Sequence, residues 1–488
     1  LTASIEGVGL IWTVVAPLAG AVVLFALGAR SARVVALLAA LATGAAVVFV
    51  IPPVLWHGAL RYRLGGWGAP LGVDLYLDGL SALMLLTAAA VGVGATLYAL
   101  AFRTEAEPRG GTPPDATFWT LWLLLWAALN GLFLAADVFN LYVTLELLTL
   151  SAVGLVATAG GPARAAALQY LLWALAGSLA YLLGVALLYG AHGTVDIAHL
   201  SIRVSDDALG RAAGLLMLAG LALKTALFPL HFWLPPAHAA APPPVSALLS
   251  ALVVKAAFYA VLRLWVTVFA GLPLMHTGQV LGALGTLAVV WGSVQAFRQE
   301  RLKLLVAYST VAQIGYLFLC FALADGWSAA MYLAVSHACA KAAMFLGVGS
   351  IARALGHDRV DGLGAVSERL PVTLFAVGVA GVGLMGLPPT GGFIGKWLLL
   401  QAALAAGQWW VAATVLGGGI LAACYVFRII AGCFSEAPNA GGARVPLRTE
   451  LPSLALALLA LVLGLIAPLL LGLLGAGAPF GTAAAGPR

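Results

Sequence analysis

The sequence predicts an all-α polytopic membrane protein of about fourteen transmembrane helices, arranged partly as two inverted five-helix repeats with broken helices 7 and 12. Three observations predict it. Mean hydropathy is +1.05, 63% of residues are hydrophobic and 9% are charged, against roughly 25% charged in a soluble domain. The apolar residues form long runs, not the short alternating segments of a membrane β-barrel. Two of those runs are interrupted by proline and glycine.

A span needs about 20 apolar residues. Runs of that kind lie near 7–28, 34–54, 77–101, 117–135, 138–158, 164–190 and 212–232, then near 245–269, 278–297, 303–323, 328–352, 371–404, 409–433 and 452–474. The first reads as a full span and not as a short cleaved leader. This divides the chain into helices 1–3 (1–115), a first repeat of helices 4–8 (116–270), a second, inverted repeat of helices 9–13 (271–435) and a last helix (436–488).

Basic residues orient this map, because Lys and Arg favour cytoplasmic loops. One set of alternate loops holds Arg30, Arg33, Arg103, Arg109, Arg164, Arg298, Arg301, Lys303, Arg353, Arg359, Arg369, Arg428, Arg444 and Arg448. The other, with the C-terminus, holds Arg61, Arg63, Arg203, Arg211 and Arg488. Fourteen against five places both termini outside the cytoplasm. The formal charge of +6 is scattered through short loops, so topology explains it and a nucleic-acid partner does not. Cys320, Cys339, Cys424 and Cys433 lie in or beside apolar segments without metal or haem spacing, and read as small buried hydrophobes.

In the seventh run Pro229 follows Lys224 by five residues; in the twelfth, Pro388, Pro389, Gly391 and Gly392 precede Lys396. Interrupted helices at corresponding places in two repeats point to an ion site, since the freed backbone groups line a cavity. An offset of five spans, being odd, inverts the second unit relative to the first.

The ionisable residues inside the spans carry the chemistry. A central lysine costs roughly 2.5 to 3.5 kcal/mol to insert, and such residues mark ion pathways. Glu146 lies near the middle of its span, and Lys224 is its natural partner; the bland alternative is a fixed ion pair between two helices. Lys255 has no acidic mate in sequence and suits the uptake and release of protons, with Ser246 and Ser250 on its N-terminal flank to hold water. His337 and Lys341, four apart, share a helix face, and a histidine suits a relay, although a carbonyl-bonded core histidine fits the same position. Lys396 completes the row Glu146, Lys224, Lys255, His337, Lys396. His231 and His238 sit where protons would be admitted or where a helix end would be capped, and Gln313 would hold water. Tyr308 and Ser309 read as satisfying backbone groups, Arg263 as snorkelling, and Asp74 and Asp78 as a solvated loop face.

Several stretches together resemble one family: LYVTLELLTLS around Glu146, KTALFPLHFWLPPAHAAAPPPVSALLSALVVKAAFYAVLRL, LKLLVAYSTVAQIGYLF, SHACAKAAMFLGVGSIA and GLPPTGGFIGKWLLLQ. The family is that of the antiporter-like membrane subunits shared by Mrp cation/proton antiporters, respiratory complex I and membrane-bound hydrogenases. Lysine in the twelfth span and the GGFIGKWLLLQ wording resemble the D-type branch of Mrp antiporter subunits, with the N-type branch of complex I close to it. The resemblance implies fourteen helices, inverted repeats and a hydrated axis from Glu146 to Lys396. It also implies companion membrane subunits, either the A, B, C, E, F and G types of Mrp or those of complex I, with protons and sodium as the ions handled. Two departures stand out: AHAAAPPPVS where the family often has an acidic residue and a threonine, and Gln313 where it often has histidine. Nothing in the chain suggests a nicotinamide, flavin or metal-cluster site, so the implied role is a transporter subunit without its own redox centre, in a bacterial inner membrane. Charge coupling supplies a mechanism: approach of Glu146 holds Lys224 protonated, and separation sends the proton towards Lys255. Two other classes, a stand-alone solute exporter and an inert scaffold, would not need a continuous row.

Overall fold

A computed structural model describes residues 2–68, 72–105, 115–273, 275–364, 366–435 and 445–477. Arg109, Arg444 and Arg488 of the charge comparison lie outside the described residues. The chain begins with α1 (Thr2–Leu27) and α2 (Ala32–His57), then a hairpin of β1 (Leu60–Arg63) and β2 (Asp74–Leu77). There follow α3 (Gly79–Glu105), α4 (Asp115–Leu134), α5 (Val138–Ala157), α6 (Pro162–His192), the short α7 (Ile197–Arg203), α8 (Ala208–Lys224) and α9 (Leu234–Ala240). Next, α10 (Pro243–Leu248) runs through a π turn (Leu249–Val253) into α11 (Val254–Val266). The second half holds α12 (Met275–Arg298), α13 (Leu302–Phe318), α14 (Trp327–Leu355), α15 (Val366–Arg369), α16 (Pro371–Met385), α17 (Gly391–Ala405), α18 (Trp409–Cys433), α19 (Leu447–Leu465) and α20 (Ala467–Gly475).

Among the described residues, twelve helices are long and apolar enough to cross a membrane. The two other expected spans are the ones the sequence marks as interrupted, and each is split into shorter pieces, α8 with α9 and α16 with α17. Length and hydropathy therefore support twelve unbroken crossings, not the full fourteen. Most spans keep one face outward, and α1, α2 and α6 bury the smallest share of their apolar windows. The continuous segment Pro243–Val266 and α14 are buried along their whole apolar windows, so they form the centre of the bundle. These two carry Lys255 and the His337/Lys341 pair.

Local signals fix where the helices begin. Asp137, Asp196, Asp207 and Thr390 each accept a hydrogen bond from the backbone N–H three residues on, capping α5, α7, α8 and α17. Proline occupies the first turn of α6, α10 and α16, where its missing N–H costs nothing. The first break starts earlier than Pro229: α8 stops at Lys224 because Ala226 turns left-handed, φ 57°. The second follows Gly386, φ 82°, which closes α16. Gly391 and Gly392 fall inside the first turn of α17 and are not part of the break. A Cβ on Gly392 would lie 2.0 Å from the Gly383 carbonyl oxygen, so the glycine lets α17 start against the end of α16.

The hairpin is an addition to the all-helical expectation. Its strands pair antiparallel, Leu60 with Leu77 and Arg63 with Asp74, and Leu75 bridges to Ala135. Arg61 Nε donates to Asp74 at 2.6 Å and its guanidinium also bonds Asp196. Asp196 in turn forms a bridge with Asp137, the cap of α5. Asp74 is thus buried and paired, not a solvated loop residue. Three of the cysteines are buried, whereas Cys424 lies exposed on α18 and does not serve as core.

Within the first half, α6 and α8 meet at two glycines. A Cβ at Gly220 would stand 2.3 Å from the Gly177 oxygen, and one at Gly177 2.7 Å from the Gly220 oxygen. Such close backbone approach is how membrane helices gain packing energy. Gly220→Val should therefore lower stability by roughly 1–3 kcal/mol or more, read as a lowered thermal midpoint of the detergent-purified protein; an unchanged midpoint would contradict this packing.

Candidate functional site

The hydrogen bonds gather the in-span polar residues into three clusters along the bundle. In the first, Lys224 ends α8, so its ammonium emerges at the break and faces α5. Its Nζ donates to Glu146 Oε1 at 3.0 Å and to Thr149 Oγ1 at 2.9 Å. Ser178 of α6 donates to the same carboxylate. The Lys224 side chain is buried, while Glu146 keeps 20% of its side chain exposed at the edge of the chain. Trp233 Nε1 donates to the Leu223 carbonyl at 3.0 Å, an oxygen that also accepts from the Ala226 N–H at 3.1 Å.

The second cluster is the core of the bundle. Lys255 Nζ donates to the Ser250 carbonyl at 2.5 Å, within the π turn where the regular helix ladder is altered. Ser250 Oγ lies 2.8 Å from Thr310 Oγ1, and Thr310 donates to the Val306 carbonyl at 3.2 Å. Lys341 Nζ, from α14, donates to that same Val306 carbonyl at 2.8 Å and also to Ser309 Oγ. Lys255 and Lys341 are thereby brought near one another across three elements, Ser250 meeting Lys255 through its carbonyl and Thr310 through its hydroxyl, and the Val306 carbonyl accepting from both Thr310 and Lys341. Ser309 both accepts from Lys341 and donates to Val306 at 2.9 Å, so it does more than satisfy backbone. Ser246 Oγ donates to the His238 carbonyl at 3.1 Å.

The third cluster sits at the second break. Lys396 Nζ donates to the Leu384 and Met385 carbonyls at 2.9 and 3.1 Å, the oxygens left free where α16 ends. Gln313 Nε2 donates to the same Leu384 carbonyl at 3.0 Å. The Lys396 ammonium also lies 4.2 Å from the Tyr316 ring centroid, a cation–π contact. On its other side it lines a cavity of about 390 Å³ between α17 and α18, walled by Leu387, Trp397, Val415 and Phe427 among others.

His337 and His238 are buried with both ring nitrogens free of hydrogen-bond partners among the described residues. Neither is a carbonyl-bonded core histidine. His337 lies on α14 one turn before Lys341, buried in the core of the bundle. His238 lies inside α9 with its ring stacked on Phe345, 4.7 Å between centroids, so it does not cap a helix end. His231 falls in the first break, stacked on Phe228, with Nδ1 unpartnered.

Two sequence expectations are corrected here. Arg263 does not snorkel: its guanidinium grips Asp78 at 2.5 and 2.8 Å, and both side chains are about 1% exposed. Asp78 accordingly is not a solvated loop residue. The pairing is invisible in the sequence because 185 residues separate the partners. Thr149, Ser178, Thr310 and Lys303 join the site without having been expected there. Thr149 had a signal, lying three residues after Glu146 on one helix face; Ser178 and Thr310 had none. Lys303 belongs to the loop count, yet it is half-buried and its Nζ rests on the Ala241 carbonyl.

Residues 135–422, which contain all three clusters, match the family described as "NADH:quinone oxidoreductase/Mrp antiporter, TM". The N-type subunit of the NADH-quinone oxidoreductase of Desulforudis audaxviator (strain MP104C) is 36% identical over 450 residues, 88% of each chain. The D-type subunit of the Na(+)/H(+) antiporter of Bacillus subtilis (strain 168) is 29% identical over 391 residues, 79% of this chain and 78% of that one. Among solved structures, a chain of the Mrp complex from Dietzia sp. DQ12-45-1b superposes with a TM-score of 0.87 at 28% identity, over 97% of both chains.

Removing one member of a buried pair leaves an uncompensated charge, whereas removing both need not destabilise. Glu146→Gln and Lys224→Met should each lower the unfolding free energy by up to ~3 kcal/mol, and the double variant should regain most of it. Additive losses in the thermal unfolding of the three proteins would show that the two side chains do not interact.

Proposed function

The chain belongs to the NADH:quinone oxidoreductase/Mrp antiporter transmembrane family, and from that premise we propose that it is the proton-translocating, D-type member of a multisubunit cation/proton antiporter. Protons would move along Glu146, Lys224, Lys255, His337 and Lys396, with Lys341 a full member of the row. The observation that carries this reading is the lysine pair at the centre of the bundle, Lys255 held on the Ser250 carbonyl and Lys341 on the Val306 carbonyl, with the Ser250 and Thr310 hydroxyls between them. It lies between a lysine held at one helix break and a lysine held at the other. A buried unpartnered imidazole is expensive, and His337, one turn from Lys341 on α14, has a reason to be there if it relays protons.

The two breaks support inverted repeats over 116–270 and 271–435, since Lys224 and Lys396 each stand at an interruption and the crossings then total fourteen. Partial exposure of Glu146 fits a carboxylate at a contact with a neighbouring subunit. The assembly would sit in a bacterial inner membrane with both termini outside the cytoplasm. The subunit would be no enzyme by itself, its driving event coming from sodium movement at its companions.

One observation favours a second reading. The N-type relative at 36% identity exceeds the D-type relative at 29%, so the same row could serve as the pumping arm of a redox complex. Gentle purification and mass identification of co-purifying subunits separate the two. Companions of the Mrp type without flavin or iron–sulfur proteins support the antiporter, and iron–sulfur companions support the redox complex.

In everted vesicles, Lys224→Ala should abolish proton translocation with the complex still assembled. Near-normal activity in that variant sinks the pathway. Lys341→Met should cost about tenfold or more in rate, the effect of ~1.4 kcal/mol on a barrier, matching Lys255→Met; a K341M complex running at the native rate would remove Lys341 from the row.

A further inference from the structure

Beyond Lys255, α11 continues towards the end of the bundle covered by the hairpin. Tyr259 and Arg263 follow at steps of four residues, about 6 Å each along one face. The shortest way for a proton from Lys255 to that surface would run along this face. It ends in a cluster in which each hydrogen-bonding group has a fixed partner. Arg263 Nη1 and Nη2 donate to Asp78 Oδ2 and Oδ1 at 2.5 and 2.8 Å, and the Ser81 backbone N–H also donates to Oδ1 at 2.9 Å. Both carboxylate oxygens are therefore occupied by N–H donors. Arg263 Nη2 further donates to Ser81 Oγ at 2.9 Å and to the Tyr259 hydroxyl at 2.7 Å. Tyr259 in turn donates to the Phe133 carbonyl of α4 at 2.9 Å. All four side chains are at most 1% exposed.

We propose that Asp78, Ser81, Tyr259 and Arg263 form an insulating plug that closes the hairpin end of the bundle to protons on Lys255, with Arg263 as its positioning residue. This rests on the reading that Lys255 carries protons. A guanidinium cannot give up a proton inside a protein, so Arg263 cannot relay one. Its charge is balanced by Asp78, so the block lies in the lack of any group on it that can take up and release a proton. By filling both oxygens of Asp78 it also denies the passing proton the one carboxylate on this face. The Lys255 ammonium turns the other way, towards Ser250. With that end closed, a proton on Lys255 is left the way through Thr310 and Lys341. Structural anchoring alone is a weak reason for the pair, because buried ion pairs contribute little net stability.

The test uses the assembled complex in potassium-loaded proteoliposomes, with valinomycin to impose a potential and an internal pH dye to follow passive proton flux. Arg263→Gln uncovers Asp78 and should raise that flux about tenfold or more. Adding Asp78→Asn or Lys255→Ala to the same chain should restore native tightness. Arg263→Lys keeps the charge but lacks the two-pronged grip, and should leak less, in the same direction; it supplies the reading if R263Q does not assemble. The plug is overturned if both Arg263 variants are as tight as the native complex, or if the leak survives D78N or K255A, which would mark general loosening. Failure of the proton row would show separately, as coupled transport that persists in Lys224→Ala.

Discussion

An ammonium cannot lie in an apolar bundle without oxygen around it, and this chain supplies main-chain oxygen where its helices are irregular. Lys255 rests on the Ser250 carbonyl of a π turn, Lys396 on the Leu384 and Met385 carbonyls where α16 ends, and Lys303 on the Ala241 carbonyl just after α9. Lys341 uses Val306, whose oxygen also takes the Ser309 and Thr310 hydroxyls. Of Lys224, Lys255, Lys341 and Lys396, only Lys224 has a carboxylate among the described residues, Glu146. Carbonyl dipoles hold a lysine without fixing its charge, which is the property a proton-carrying residue needs. The breaks and the π turn are accordingly not defects in an otherwise regular bundle; they position the lysines.

Much of this was legible in the sequence. Spans announce themselves because lipid tolerates so few residue types, and Lys224, Lys255, Lys341 and Lys396 stand out against that background. Pro229 and the Pro388–Pro389 pair mark the breaks, although the first interruption starts at Ala226, a residue with no turn signal. Glu146 and Lys224 could be paired by elimination, as the only carboxylate and a lysine at mid-span. What stayed hidden were contacts between distant segments. Nothing local in Ser178 or Thr310 separates them from the many serines and threonines that bond their own helix. Asp78 reads as a loop residue until the hairpin is seen to bury it, and Arg263 reads as a snorkelling end residue until Asp78 is found opposite.

The family match extends the same logic. Its matched region, 135–422, runs from just before α5 into α18 and leaves out α1 to α4 and the hairpin, and α19 and α20 at the other end. Those N-terminal elements contribute the wall of the bundle, and through Arg61, Asp74 and Asp196 they fasten the cap of the helix that carries Glu146. They also contribute Asp78. The part of the chain outside the matched region therefore braces the first cluster and seals the second.

The proposed row has a single carboxylate, and it stands at one end. With Glu146 balancing Lys224, a further proton on Lys255, Lys341 or Lys396 adds positive charge with no acid in the row to offset it. At an effective dielectric near 20, two like charges even 8 Å apart repel by about 2 kcal/mol. Occupancy of the far stretch is then self-limiting: a second proton is disfavoured by about thirtyfold until the first departs. Such a row would work in single file and count protons one at a time, its stoichiometry set by the scarcity of acid and not by a moving gate.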